Sequence, residues 1–595
     1  MAGTVCLVAV GAGPRSTLTP ARHARRPPLR HRRGRLTRRA LPLLVAGAAL
    51  AGGAVVVLGG SDAERTLVRE YVAAWNRQDY AAMWERTTDA VRERTDAAGF
   101  ARTHRRALDT ATAQSLRAGA PRERRDGAWE VPVRVRTRIF GLLRGRVVLP
   151  VEGEGDEAAV AWRGHLTFPG LQPGDRLRRT TTMPERATLT ARDGRPLAAG
   201  PERTSSLPGA SAIVGAVGSV PPERSQALRR QGVPADAQVG LTGLERILDD
   251  QLRGTPGGEL RAGRRLIAEV PARRAQRVRS TIAPSVQEAA VTALGDRLGG
   301  VVALRPRTGE ILGVAGIGFS GLQPPGSTFK VVSAAAALQA GKVKASDRFP
   351  VATSATLSGV ELENANGESC GGTFIDAFAH SCNSVFGPLG ARTGAQRLVR
   401  TAEAFGFNRA PEIPGAATST IPQPDDIGDD LAVGSTAIGQ GRVQASPLQM
   451  ALVTATVALG GRRPVPTLDG RRIGERAQTT EVIGPRAART LRRAMVAVVA
   501  GGTGKSAALG GVQVAGKTGT AELKTTQGCA PPEEVPPGGP APCAPDDQTD
   551  TTAWFVAFAP AREPEVAVAV MLVGAGTGGD SAAPVARQVL QTALR

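Results

Sequence analysis

The chain has 595 residues, enough for two or three domains, and its 41% hydrophobic content is that of a globular protein. Its net charge of +22 is not spread as a basic surface with interleaved aromatic residues, because ten arginines and no acidic residue lie within residues 1–39. This distribution argues against nucleic-acid binding and predicts a basic N-terminal tail.

An uncharged segment follows the tail. The run ALPLLVAGAALAGGAVVVLGG, residues 40–60, is as long as the roughly 20 apolar residues of a membrane-spanning helix. The arginines before it predict that the tail stays in the cytoplasm and that the rest of the chain lies outside the membrane. A cleaved signal peptide and a buried core helix are the alternatives, but no strong cleavage site and no cysteine for lipidation follow the run. We therefore predict a single-pass membrane protein.

The cysteines fit an oxidising compartment. Cys6 falls in the tail, whereas Cys370, Cys382, Cys529 and Cys543 form an even set in the predicted outer part. Two local bridges, Cys370 with Cys382 and Cys529 with Cys543, are the simplest of the three pairings that four cysteines allow. The chain has no CxxC or HExxH motif and its five histidines are scattered, so we expect no metal site and no cofactor.

Residues 62–172 are predicted to form a small α+β domain. The stretch AERTLVREYVAAWNRQDYAAMWERTTDAV places Leu67, Tyr71, Trp75 and Trp84 at helical spacing. The following WEVPVRVRTRIFGLLRGRVVLPV alternates apolar and polar residues as strands do. The tryptophans are interpreted as core residues rather than as a ligand platform.

Residues 173–279 are rich in Arg, Gly and Pro with short periodic segments, which is typical of a pedestal or linker domain. RATLTARDGRPLAAGP predicts two strands joined by an Asp-Gly turn. GLTGLERILDDQLRGTPGG predicts one amphipathic helix closed by glycine.

Residues 280–595 have the pattern of one large mixed domain. GGVVALRPRTGEILGVAGI predicts a hairpin, and VQVAGKTGTAEL, TTAWFVAFAP and EVAVAVMLVGA predict successive strands. A last helix is expected from about Ala582 to Leu594. This order predicts an antiparallel sheet covered by helices.

One serine stands three residues before a lysine. In PPGSTFK, Ser327 precedes Lys330 at the predicted start of a helix, so their side chains should be neighbours. A base within hydrogen-bond reach makes serine a good nucleophile. Lysine can be that base once burial and a second cation lower its pKa, whereas arginine keeps its proton. Only six of the 75 basic residues are lysines, which favours a base at Lys330, but for this motif alone an ordinary helix start with a surface lysine stays the alternative.

Two further motifs follow in order. HSCNSVF contains Ser381 and Asn383, separated by Cys382. AGKTGTAE lies on a predicted strand, whose alternation aims one row of side chains at a cleft and whose glycines let a substrate backbone approach. The residues of this last motif are Lys517, Thr518, Gly519 and Thr520.

The motifs S-x-x-K, S-x-N and K-T-G in this order resemble the active-site set of the penicillin-recognising acyl-transferases over residues 280–595. The runs RPRTGEILGVAG, IGQGRVQASPLQMA and TTAWFVAFAP add to the likeness. Near residue 165, AWRGHLTFPGLQPGD resembles the cystatin-like domain of methicillin-resistance-type transpeptidases. With the predicted anchor and pedestal, the whole chain resembles a class B penicillin-binding protein, a monofunctional peptidoglycan D,D-transpeptidase.

The resemblance implies an α+β multidomain protein with a transpeptidase fold. Its segments would be a cytoplasmic tail (1–39), a transmembrane anchor (40–60), a cystatin-like domain (62–172), a pedestal or dimerisation-type domain (173–279) and the transpeptidase domain (280–595). Partners implied are peptidoglycan stem peptides and β-lactams, with a membrane glycan polymerase and proteins of the division or elongation machinery as further candidates.

The resemblance also implies the chemistry of the first two motifs. Ser327 would attack the carbonyl between two D-alanines of a stem peptide, with Lys330 as general base, and an amine of a neighbouring stem would then displace the ester. Ser381 would relay a proton to the leaving group and Asn383 would hold the substrate amide. A bridge from Cys382 to Cys370 would fix this loop, the alternative being a free buried thiol.

The third motif would recognise the substrate carboxylate. Lys517, Thr518 and Thr520 would bind it and keep the field positive, and the backbone N–H groups of Ser327 and Thr520 would form the oxyanion hole. A β-lactam would be trapped at the same ester stage.

Other functions share the triad. A β-lactamase has no use for an anchored chain of this size, and a D,D-carboxypeptidase of this kind usually lacks the upstream domains. A β-lactam sensor needs a signalling route across the membrane, and a non-catalytic scaffold needs a broken triad. The segment GGTGKSA around Lys505 looks like a phosphate loop, but Val499 occupies its first glycine position and a helical run precedes it.

Overall fold

The computed structural model describes residues 60–205, 207, 209–522 and 551–595. The chain divides into residues 1–58 and residues 59–595, and everything described belongs to the second unit. The predicted tail, the predicted anchor before Gly60 and the cysteine pair Cys529 and Cys543 lie outside the described residues. No helix within the described ranges combines the length and the apolar character needed to cross a bilayer.

The N-terminal part of this unit packs four helices against an antiparallel sheet. In the central strand, Trp129–Thr137, every second residue is buried, which places Trp129 and Val133 in a core with Trp75 and Phe100. Trp75 and Trp129 are therefore core residues, as predicted. The elements are α1 Gly60–Arg77, α2 Tyr80–Glu85, α3 Asp89–Arg94, α4 Ala97–Thr110, β1 Ala113–Ala118, β2 Arg122–Glu123, β3 Trp129–Thr137, β4 Leu142–Leu149, β5 Val151–Glu152 and β6 Ala159–Val160.

The pedestal region consists of short strands in three small sheets, with four short helices. The predicted hairpin around the Asp-Gly turn is present, since Leu189–Thr190 pairs antiparallel with Pro196–Ala198. The elements are β7 Leu177–Thr182, β8 Leu189–Thr190, β9 Pro196–Ala198, α5 Ser211–Val214, β10 Val217–Ser219, α6 Pro222–Arg230, β11 Gln238–Gly240, α7 Gly243–Ile247, α8 Asp249–Leu252, β12 Gly257–Ala262, β13 Arg265–Val270 and β14 Val278–Arg279.

The prediction of one continuous helix in this region was wrong. The helix breaks at Leu248 into α7 and α8. The break places the Asp249 carboxylate in the interior, where it pairs with Arg186, Arg224 and Arg253 and accepts a hydrogen bond from the Gly240 N–H. Burying a carboxylate requires such partners, so tertiary contacts override the helical pattern here.

The largest domain is built on a five-stranded antiparallel sheet, as predicted. Its strand order is β16-β15-β25-β24-β23, and helices cover both faces. The strands are β15 Gly299–Leu304, β16 Ile311–Gly316, β17 Arg348–Ala352, β18 Ser354–Leu357, β19 Val360–Glu363, β20 Cys370–Thr373, β21 Arg462–Pro464, β22 Thr479–Glu481, β23 Ala515–Glu522, β24 Thr551–Ala559 and β25 Val566–Val573.

Helices on both faces explain why these strands read as continuous apolar runs. All residues of β15 are buried, as are nearly all of β24 and β25. The helices are α9 Pro284–Leu294, α10 Lys330–Gln339, α11 Phe374–Ala379, α12 Asn383–Thr393, α13 Ala395–Phe405, α14 Pro424–Ile427, α15 Asp430–Ala437, α16 Pro447–Ala458, α17 Pro485–Ala500 and α18 Ala583–Ala593.

The turn that carries Ser327 lies at the free edge of this sheet. Strand β23 forms the edge, and the turn that carries Ser327 packs against it. The sequence predicted Ser327 in the first turn of an α-helix. The structure instead has a 3₁₀ turn, Gly326–Phe329, and the α-helix begins at Lys330.

Candidate active site

The Ser327 turn is held between β23 and β24. The indole N–H of Trp554, a fully buried residue of β24, donates to the Pro324 carbonyl at 2.9 Å. Gly326 has φ +50°, and a Cβ there would lie 2.5 Å from the Thr520 carbonyl oxygen. A side chain at position 326 would therefore push the turn away from the strand. Ser327 itself remains half-buried.

Lys330 is fully buried behind this turn. Its Nζ lies 2.6 Å from the Ser381 carbonyl oxygen, 2.7 Å from Asn383 Oδ1 and 3.3 Å from Ser381 Oγ. The ring of Phe386 lies 5.7 Å away. Burial, together with the nearby Lys517 charge, holds the pKa of Lys330 well below its ordinary value.

A neutral Lys330 has two N–H donors and one lone pair. The Ser381 carbonyl and Asn383 Oδ1 accept from the two donors, so the lone pair is left to receive a proton. The sequence predicted a hydrogen bond with Ser327, but within the described residues the Ser327 hydroxyl makes none. Catalytic hydrogen bonds commonly tighten only when substrate is bound, so the arrangement keeps Lys330 as the candidate base.

Ser381 lies between the two buried lysines. Helix α11 begins with a capping box between Thr373 and Asp376 and ends at Ala379. After the capping residue His380, Ser381 takes a left-handed backbone conformation with φ +62°. This turn aims the Ser381 hydroxyl at Lys517, whose Nζ donates to it at 2.8 Å. One hydroxyl thus contacts both amines.

The Ser381 loop is tied down on both sides. A disulfide joins Cys370, at the start of β20, to Cys382, with their Cα atoms 5.8 Å apart. Asn383 begins α12, and its side-chain amide donates to the Glu363 carbonyl at 2.8 Å. The middle residue of S-x-N therefore links the loop to the neighbouring strand.

Lys517 lies on edge strand β23 and is fully buried. Burial lowers its pKa to about 7, and its Nζ also donates to the Thr518 carbonyl at 3.0 Å. The ring of Phe378 lies 5.6 Å from the amine. Near neutral pH this position can thus carry a positive charge, which suits the binding of an anion.

The rest of the K-T-G-T segment faces the Ser327 turn. A Cβ on Gly519 would lie 2.8 Å from the Pro325 carbonyl oxygen, so only glycine fits this close approach. The Thr518 hydroxyl lies 2.6 Å from that of Thr503, and Thr520 Oγ1 lies 3.4 Å from the N–H of Gly578.

The structure brings the three predicted motifs together at one site. It also adds Trp554 and Thr503, which the sequence reading did not single out. Trp554 lies within TTAWFVAFAP, and Thr503 lies within GGTGKSA, the segment that only partly matches a phosphate loop. In the described part of the chain, no cluster of three or more His, Cys, Asp or Glu side chains could hold a metal ion.

Comparison with known proteins agrees with the family resemblance of the three motifs. A sequence model of the penicillin-binding protein transpeptidase domain matches residues 299–591, and one of the penicillin-binding protein dimerisation domain matches residues 201–270. The peptidoglycan D,D-transpeptidase PbpA of Mycolicibacterium smegmatis is 36% identical over 419 residues, which are 60% of this chain and 80% of that protein. This chain belongs to the penicillin-binding protein transpeptidase family.

Other family members are similar over comparable lengths. PbpA of Mycobacterium tuberculosis is 34% identical over 417 residues, covering 60% of this chain and 80% of the relative. The solved penicillin-binding protein A of M. tuberculosis, in its penicillin G acyl-enzyme complex, is 30% identical with a TM-score of 0.52. The match covers 69% of this penicillin-binding protein and all of that chain.

Proposed function

We infer that this penicillin-binding protein is a peptidoglycan D,D-transpeptidase, which cross-links stem peptides through an ester on Ser327 and is inhibited by β-lactams at the same hydroxyl. The observation that carries this conclusion is the meeting of two fully buried lysines, Lys330 and Lys517, at the single hydroxyl of Ser381 beside the Ser327 turn. Relatives named as D,D-transpeptidases and a relative solved as a penicillin G acyl-enzyme support it.

The first half-reaction forms the ester. The Ser327 hydroxyl proton passes to the lone pair of Lys330 as Oγ bonds to the carbonyl carbon between the two D-alanines. The C–N bond then breaks, and the leaving amine takes a proton relayed from Lys330 through Ser381. The terminal D-alanine departs with its carboxylate, which Lys517 and Thr518 hold while it is bound.

The second half-reaction forms the cross-link. An amine of a neighbouring stem peptide attacks the ester carbon, the new C–N bond forms and the bond to Ser327 Oγ breaks. The amine proton returns to Ser327 through Lys330, so the enzyme is regenerated. In a β-lactam the leaving amine stays attached to the acyl group, which hinders the acceptor.

The backbone N–H groups of Ser327 and Thr520 are proposed as the oxyanion hole. The close packing of the Ser327 turn on β23 supports this role, because Gly326 and Gly519 allow the two backbones to approach. Donors fixed in this way stabilise the developing oxyanion without reorganising. Asn383, whose side chain is already oriented by Lys330 and the Glu363 carbonyl, would hold the substrate amide.

Intact-mass analysis after incubation with penicillin G tests this function. Wild type should gain the mass of one penicillin, and Ser327→Ala and Lys330→Arg should gain none on the same time scale. Ser506→Ala and Lys342→Arg, which change exposed residues, serve as matched controls and should label normally. Full labelling of Lys330→Arg would refute the role of the amine, and rapid loss of the adduct would point to a β-lactamase.

We also propose that residues 40–60 anchor the enzyme in the cell membrane with residues 1–39 in the cytoplasm and the catalytic domain outside. Protease added to intact spheroplasts should then remove the folded part and spare the tail. The domain boundaries at residues 62, 173 and 280 would be cleaved first under limited proteolysis, if the segments between them fold as separate units.

A membrane glycan polymerase is the proposed partner, since a cross-linking enzyme without its own polymerase needs new glycan strands nearby. Mild detergent extraction followed by affinity purification should recover the polymerase with the full chain and lose it when residues 1–60 are replaced by an unrelated anchor. Recovery of this chain alone from both preparations would count against the pairing.

A further inference from the structure

Thr503 connects two parts of the active site. It lies three residues after the end of α17, and its backbone N–H donates to the Ala379 carbonyl at 3.1 Å, two residues before Ser381. Its hydroxyl lies 2.6 Å from the hydroxyl of Thr518 on β23. One residue therefore joins the S-x-N loop to the K-T-G strand.

The Thr518 hydroxyl has one partner among the described residues, and that partner is Thr503. A hydroxyl donates one hydrogen bond and accepts up to two. If Thr518 donates to Thr503, its lone pairs face the cleft and repel a carboxylate. If Thr518 accepts from Thr503, its own proton is free to be donated to a carboxylate.

A bound carboxylate selects the second arrangement, because it can only accept hydrogen bonds and the Thr518 proton must then go to it. The alternative acceptor for the Thr503 proton is the Ala379 carbonyl, which lies 3.4 Å away, at the limit for a hydrogen bond between oxygens. The Thr518 oxygen at 2.6 Å is much nearer. When Thr518 donates to a carboxylate, the Thr503 proton therefore turns to Thr518, and the hydrogen bond between the two hydroxyls holds the Thr518 proton toward the ligand.

We propose that Thr503 is a positioning residue that orients the Thr518 hydroxyl as a donor to the substrate carboxylate. This inference rests on the proposed function, because it deepens the account of how the terminal carboxylate of a stem peptide or a β-lactam is recognised. Thr503 does not itself touch the substrate. Its effect is on the preference for an anionic over a neutral ligand.

The experiment compares acylation by penicillin G with acylation by its methyl ester, which lacks the negative charge. Thr503→Val replaces the hydroxyl by a methyl group of similar size and should lower the preference for the acid by about tenfold, as expected for loss of one hydrogen bond to a charged group. Thr503→Ser keeps the hydroxyl and should retain the wild-type preference. Thr490→Val, in α17, is the matched control, since its hydroxyl only bonds a carbonyl of its own helix.

Three outcomes would overturn the proposal. In the first, Thr503→Val prefers the acid over the ester as strongly as wild type does. In the second, the valine substitution slows acylation by the acid and by the ester equally. In the third, Thr503→Ser loses the preference for the acid as Thr503→Val does. If the valine variant does not fold, Thr503→Ala compared with Thr503→Ser separates hydroxyl from methyl in the same way. Wild type that forms no adduct at Ser327 would instead defeat the proposed function and this inference with it.

Discussion

Replacing Lys517 by methionine should remove a pH-dependent penalty on the stability of the fold while it abolishes acylation. The two side chains have similar length, but methionine carries no charge into the interior. Lys517 is fully buried, and burial lowers its pKa from 10.5 to about 7. At about 1.36 kcal/mol for each pKa unit, this difference corresponds to about 5 kcal/mol of destabilisation once the lysine is protonated in both states.

The expected gain depends on pH in a defined direction. Above pH 10.5 the lysine is neutral in both the folded and the unfolded chain, and its ionisation contributes nothing. As the pH falls toward 7 the unfolded chain binds a proton that the folded chain does not, so the penalty grows until it levels off below the folded pKa. Removing the ionisable amine should therefore contribute about 2 kcal/mol to the stability of the Met variant near pH 9 and about 4 kcal/mol near pH 7, before the lost hydrogen bonds are counted.

The variant also loses the hydrogen bonds from Lys517 to Ser381 and to the Thr518 carbonyl, and each loss lowers its free energy of unfolding by about 1–3 kcal/mol. Because that loss hardly varies with pH, the difference of about 2 kcal/mol between the two pH values is the sharper quantity. Urea unfolding of wild type, Lys517→Met and the exposed control Lys342→Met would measure it, alongside penicillin labelling. A stability difference that stays constant, or that shrinks toward neutral pH, would refute the burial argument.

Lys330→Arg should slow penicillin acylation by about 10²–10⁴-fold, because arginine cannot accept the proton. Recovery of the rate at alkaline pH would contradict this. Cys382→Ser should lower the free energy of unfolding by about 3 kcal/mol, by removing the constraint that its bond to Cys370 places on the unfolded chain. Equal urea midpoints for variant and wild type would count against it. Trp554→Phe should cost about 1 kcal/mol through the lost Pro324 hydrogen bond and slow acylation. An unchanged acylation rate would show that Trp554 contributes only to packing.

The features that could be predicted from the sequence are those that local pattern determines. The β15–β16 hairpin and the three last strands follow from runs of apolar residues bounded by turns. The spacing of Ser327 and Lys330 placed both residues near one another although the local helix type differs from the prediction. The motifs stand out because lysine and asparagine are rare in this chain and because the three motifs follow one another in an informative order.

The remaining features depend on contacts between distant segments. The break at Leu248 is set by arginines at positions 186 and 224, which no helical pattern near residue 248 reveals. Thr503 orients Thr518 from 15 residues away, through a loop that fits no motif. Trp554 appeared as an apolar strand residue, and its role as a donor to the Ser327 turn is visible only once two strands and a turn are assembled.

The scarcity of lysine in this chain makes the two lysines of the active site informative. Of the five lysines that the structure describes, Lys330 and Lys517 are the buried ones, and both lie in the cleft. The positive charge of Lys517 is one cause of the low pKa of Lys330, so the two amines oppose each other's protonation.

When Lys330 takes the Ser327 proton, the same repulsion should drive that proton onward. The Ser381 hydroxyl, 3.3 Å from Lys330 and 2.8 Å from Lys517, is placed to carry it to the leaving group. Arginine at position 330 would hold its proton permanently, and an uncharged residue at position 517 would remove the repulsion. The site therefore requires a group at position 330 that can gain and lose a proton and a cation at position 517. In an arginine-rich chain the first requirement accounts for the lysine at position 330.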